Sequence, residues 1–169
     1  LDDFSFHKEL EMGAFSKHSM YGYELVKNKD LDQSIKQAVL THHEHADGSG
    51  FPLGVDNKSL NPIQRVIEIV DVYDTLLMRE PGFKRMSPFE VLIHLNEVEG
   101  NKYDPSALLI FTSRLAQTFI QCRVRLNNGQ EGKIVLFNKY SILRPLIQVG
   151  SGFVDLALRK DLNIVELLD

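Results

Sequence analysis

Apolar residues recur at helical spacing along the first two thirds of the chain, and the period shortens after Gln121. From about His7 to Lys27, apolar and polar positions alternate at near-helical intervals, weakly interrupted by Gly13 and Gly22. Asp30 followed by Gln33 resembles a capping box, with Ile35, Ala38, Val39 and His42 then falling at i, i+3, i+4 and i+7. This spacing predicts a helix ending near Ala46, because DGSGFP is dense in breakers. Asn61-Pro62 predicts the next start, a cap followed by proline at the first helical position, with a face carrying Ile63, Val66, Ile67, Val70, Asp71 and Asp74. Ser87-Pro88-Phe89-Glu90 opens a further helix with Val91, Leu92, Leu95 and Val98, stopping at Gly100. Asp104-Pro105 opens the last, with Leu108, Phe111, Leu115 and Phe119 on one face.

The run CRVRLNNGQEGKIVLF places two β-favouring stretches around Asn-Asn-Gly, a hairpin signal, and RPLIQV, FVDLAL and IVELL read as further short strands. The expected fold is therefore mainly α, with helices over residues 1–121 and a small β-rich C-terminal part over 122–169.

Composition narrows the function classes. A chain of 169 residues can bury a substantial core, and its charge fraction is that of an ordinary soluble domain. A net charge of -4 supplies no general attraction to nucleic acid, so DNA is not an expected partner. No run of about 18 apolar residues is present to span a bilayer. With no signal-peptide pattern and Cys122 the one cysteine, the expected location is the cytoplasm.

Three of the six histidines fall within four residues, in THHEHADGSGFPLG. His42 lies in register with the apolar face of its helix and Asp71 with that of the next. A carboxylate buried without a partner costs several kcal/mol, so it calls for an ion pair, a cap or a metal. Imidazole nitrogen with carboxylate oxygen suits zinc, iron, manganese or nickel. Adjacent histidines on a helix point about 100° apart, which suits two neighbouring ions better than one. Taken singly, each residue has a plainer reading. His42-His43 reads as a solvated helix end, Asp71 as a cap or ion pair, and His18 in SKHSMYGYEL as a core or surface histidine. His7, His45 and His94 are read in that plainer way.

The stretch HHEHADGSGFPLG resembles the HHExxDGxGYP signature of the HD-GYP family, metal-dependent phosphodiesterases of the HD superfamily. KHSMYGYELV, RVIEIVDVYDTLL, MSPFEVLIHL and KYDPSALLIF resemble successive family segments, and the hairpin tail with RPLIQV resembles a common C-terminal extension. The resemblance implies an HD-type helical bundle. It implies that His18, His42, His43 and Asp71 are metal ligands, with His42, His43 and Asp71 carrying catalysis. It further implies two or three divalent ions, iron or manganese, and hydrolysis of cyclic di-GMP to pGpG or GMP. Gly48, Gly50, Phe51 and Pro52 would shape a loop against the substrate, glycine permitting tight backbone and proline stiffening it. The implied partners are cyclic di-GMP, signalling proteins of the GGDEF type, and a second copy of the chain.

The chain departs from the family pattern at three places. Phe51 stands where the signature has tyrosine, which keeps the aromatic wall and removes a hydroxyl. In MREPGFKRM, Glu80 and Phe83 occupy positions where basic residues are usual, leaving Arg79 and Lys84 as the nearby substrate-binding candidates. The namesake His-Asp pair is not found, and Asp2-Asp3 lies too close to His18 to replace it. The chain, opening on leucine, is expected to be the later part of a longer protein and to have little activity alone. The alternative is a degenerate HD-GYP module that binds nucleotide or protein partners without catalysis. A third reading is an HD-type phosphohydrolase acting on another nucleotide.

Overall fold

The computed structural model describes residues 14–78, 86–138 and 140–168. After a 3-10 turn at Ala14–Lys17 come α1 (His18–Val26), α2 (Gln33–Thr41), α3 (Pro62–Leu77), α4 (Pro88–Ile93) and α5 (Pro105–Thr118). Strands β1 (Arg123–Leu126), β2 (Glu131–Asn138), β3 (Ser141–Val149), β4 (Gly152–Asp155) and β5 (Ile164–Leu167) follow. The protein is thus helical first, with a β part at the C-terminus.

Local chemistry explains most helix starts. Asn61 Oδ1 accepts from the amides of Ile63 and Gln64, and Ser87 and Glu90 form a reciprocal capping box. Asp104 Oδ1 accepts from the amides of Ser106 and Ala107 at 3.0 and 2.9 Å. Three expectations need correction. The cap of α2 is Asp32, whose carboxylate takes the Ser34 amide at 2.7 Å, so Asp30 and Gln33 form no capping box there. The helix also stops at Thr41, short of Ala46.

The third correction concerns α3. Ile63, Val66, Ile67 and Val70 are between a third and a half exposed, while Gln64, Glu68, Ile69 and Leu76 are buried. The helix is apolar on more than one side, so periodicity alone did not choose the buried one. Polar partners made the choice: Gln64 accepts from the Asn61 amide and donates to the buried Thr41 hydroxyl, while Glu68 pairs with His45.

The chain forms two compact units. The first comprises Leu1–Val72 with Glu99–Ala107, and the second Tyr73–Val98 with Leu108–Asp169. In the second, a five-stranded antiparallel sheet runs in the order β4-β3-β2-β1-β5. The β1–β2 hairpin turns at Asn127-Asn128-Gly129, where Gly129 has φ +84°, a conformation that favours glycine. Val124, Leu126, Ile134 and Ile147 from the sheet share one core with Phe89 and Leu92 of α4 and Ala116 of α5. In the first unit, a β-carbon on Gly22 of α1 would lie 2.9 Å from Val39 Cγ1 of α2. That close approach sets α1 against α2. No helix among the described residues is long and apolar enough to cross a membrane.

Candidate metal centre

His18 occupies the first turn of α1, and its Nε2 lies 2.9 Å from Nε2 of His42. Because α2 ends at Thr41, His42 is the capping residue and His43 lies beyond the helix, with the Glu44 amide closing a turn onto Thr41 O at 3.0 Å. The two rings therefore converge, with centroids 4.2 Å apart, instead of diverging as neighbours on a helix would. His43 Nε2 is 3.1 Å from His18 Nε2. Among the described residues, these three histidines form the one group whose potential ligand atoms lie within 4.8 Å of one another.

The opposite ring nitrogens favour one tautomer for each of His42 and His43. His42 Nδ1 donates to Val39 O at 3.0 Å, and His43 Nδ1 faces Asp71 Oδ2 at 3.5 Å. With their protons on Nδ1, both rings present an Nε2 lone pair to the centre. The one proton His18 could carry on Nε2 would serve one neighbour and leave the other facing a lone pair. A divalent cation satisfies all three nitrogens, so the donor set fits a metal of the zinc, iron or manganese type. Asp71 stands behind His43, at the nitrogen remote from the other two rings, in the arrangement that orients ligand imidazoles.

Burial, followed by the neighbouring His42, His18 and His45, pulls the His43 pKa down to about 3, so the ring is neutral at physiological pH. An unfolded histidine titrates near 6.5. Between these values the unfolded chain binds more protons, and His43 therefore costs stability as pH falls from about 6.5 toward 3. Glu68, its carboxyl raised by burial, works in the opposite sense over its own range. Melting of metal-free protein at pH 7.5 and 5 should show a drop that is smaller in His43→Asn; an equal drop would remove His43 as its source.

The signature loop is folded around its own glutamate. The buried Glu44 carboxylate accepts from the amides of Leu53 (2.6 Å), Gly54 (3.2 Å) and Val55 (2.9 Å). The Phe51 amide donates to His43 O at 3.1 Å, and the Phe51 ring stacks on His43 with centroids 4.5 Å apart and planes inclined by 23°. Gly48 has φ +79° and the Phe51–Pro52 bond is cis. A β-carbon at Gly50 would collide with backbone atoms of His43, Glu44 and His45. The loop thus places Phe51 directly against the imidazole cluster. Arg79 and Lys84 lie outside the described residues, as do His7 and Gly13.

Sequence reading missed His45 and Glu68. His45 Nδ1 donates to Glu68 Oε1 at 2.7 Å, and Glu68 is 1 % exposed. The available signal was a lone glutamate inside the apolar run VIEIV, one helical turn before Asp71.

Fold and site together define a largely helical protein with a histidine cluster suited to a divalent transition metal. The model of the HD domain family matches residues 8–107, and the chain belongs to that family. Within that family its HHEHADGSGFP run, with Phe51 in place of tyrosine, resembles the HD-GYP signature. It is 25% identical over 140 residues to a cyclic di-GMP phosphodiesterase of Pseudomonas aeruginosa, covering 82% of this chain and 34% of that protein. The cyclic di-GMP phosphodiesterase PdeB of Borreliella burgdorferi is 24% identical over 127 residues, 75% of this chain and 34% of that protein. The cyclic di-GMP phosphodiesterase response regulator RpfG of Xanthomonas campestris is 32% identical over 114 residues, 64% of this chain and 30% of that protein. The chain spans about a third of the length of these relatives.

Proposed function

We propose that the chain belongs to a metal-dependent phosphodiesterase acting on cyclic di-GMP and carries residues of its metal site. The observation that carries this reading is the convergence of three imidazole Nε2 atoms, two of them on rings whose Nδ1 atoms face outer oxygen acceptors. Relatives named for hydrolysis of cyclic di-GMP supply the substrate.

On this reading His18, His42 and His43 hold metal, iron or manganese, and two or three ions complete the centre with further ligands. Asp71 orients His43 and stands ready as the carboxylate of the site. Divalent ions held by these residues would supply Lewis-acid chemistry, polarising a phosphoryl oxygen and lowering the pKa of a bound water. The chain's residues supply the setting. Gly48 and Gly50 let the loop run close to the cluster, the cis Phe51–Pro52 segment gives it a wall, and Phe51 offers an apolar face on which a base can stack. Arg79 and Lys84 are proposed to meet substrate phosphate. The reading places the protein in the cytoplasm.

Elemental analysis of anaerobically purified protein, paired with chromatography of its products from cyclic di-GMP, tests the proposal. More than one equivalent of iron or manganese, with pGpG or GMP formed by the parent protein, is the expected result. Absence of bound metal would sink the reading. Metal-loaded parent protein that binds the nucleotide without cleaving it would favour the non-catalytic signalling module.

A further inference from the structure

Two imidazoles of the signature loop turn their Nδ1 atoms toward two carboxylates of α3. His43 faces Asp71 at 3.5 Å and His45 bonds Glu68 at 2.7 Å. The loop residues are two apart and the helix residues three apart, a spacing that puts both carboxylates on one side of α3. Glu44 closes the loop on itself through Leu53, Gly54 and Val55, whereas the His45–Glu68 bond ties it to the helix.

As a stabilising device the pair is poor. Glu68 is almost wholly buried, and among the described residues its Oε2 meets no hydrogen-bond partner. Burying a carboxylate is costly, and well-packed apolar residues commonly replace buried pairs without loss of stability. As a positioning device it is well built. It is short, largely shielded from water, and anchored one helical turn from Asp71 and two residues from His43.

We infer that His45 and Glu68 are positioning residues of the metal centre, whose bond sets the register of the loop on α3 and so holds His43 against Asp71. The inference rests on the metal reading above and extends it to two residues outside the proposed ligand set.

Cobalt(II) titration of the full chain, followed by its visible absorption, tests this alongside melting of the metal-free protein. Glu68→Ala should weaken cobalt affinity about tenfold, the low end of the range for residues that orient ligands. Glu68→Gln, whose amide oxygen still accepts from His45 Nδ1, should recover most of that loss. The double variant His45→Phe/Glu68→Leu should melt at or above the wild-type temperature and yet bind cobalt as weakly as Glu68→Ala. Unchanged affinity and spectrum in Glu68→Ala, or affinity that merely tracks melting temperature across the series, would overturn the inference while leaving the metal reading in place. A wild-type chain that gives no cobalt spectrum would overturn both.

Discussion

His43→Ala is expected to lower affinity for iron or manganese by more than about 100-fold, beyond the 10- to 100-fold cost of losing a residue that only orients a ligand. The expectation follows from how many contacts meet on that ring. His43 supplies one of the three converging nitrogens, faces Asp71 through Nδ1, and carries the stacked Phe51. Its removal leaves two of the three nitrogens and takes away a contact of both Asp71 and Phe51. The metal-free fold should survive, since the ring is held neutral by burial and its loss removes a site that opposes folding in acid. Equilibrium dialysis with elemental analysis, paired with a circular dichroism melt, separates the two effects. Wild-type metal content in a folded His43→Ala protein would show that the cluster is not the metal site.

Gly50→Ala should be the most damaging single-methyl addition in the loop. The new β-carbon would meet backbone atoms of His43, Glu44 and His45, and backbone cannot rotate aside as a side chain can. Overpacking of this kind costs about 1–3 kcal/mol where side chains can yield, and the upper end or beyond is expected here. The displaced segment carries His43, so metal affinity should fall with stability. Gly48→Ala is the informative contrast. Its φ of +79° is strained for alanine, but its nearest neighbour would be 3.6 Å away, so only about 1–2 kcal/mol is expected. Chemical denaturation of both variants checks the order; a Gly50→Ala protein as stable as Gly48→Ala would mean the loop can back away from His43.

The elements most legible in the sequence were those written in local chemistry. Ser87 with Glu90, Asn61 before Pro62 and Asp104 before Pro105 announce helix starts because the caps act within three residues. The Asn-Asn-Gly turn announces its hairpin because a positive φ selects glycine. The histidine-rich signature was equally plain, and its likeness to a family pointed to His18 from twenty-four residues away.

Other features depended on contacts made across the fold. His42 and His43 sit where α2 stops, one capping the helix and the other beyond it, and their rings lie with centroids 4.2 Å apart. The choice of buried face on α3 went to Gln64 and Glu68 because Thr41 and His45 arrived to satisfy them, leaving Ile63 and Val66 outside. The position of Asp71, behind His43 and apart from the three nitrogens, likewise came from docking the loop on the helix. The sequence by itself determined the order of helices and strands, the caps and turns, and the imidazole-rich chemistry of the site. Tertiary structure alone decided which side chains meet, because periodicity encodes a residue's angle on its own element, whereas a pair of ligands or a buried ion pair also requires the position of the partner.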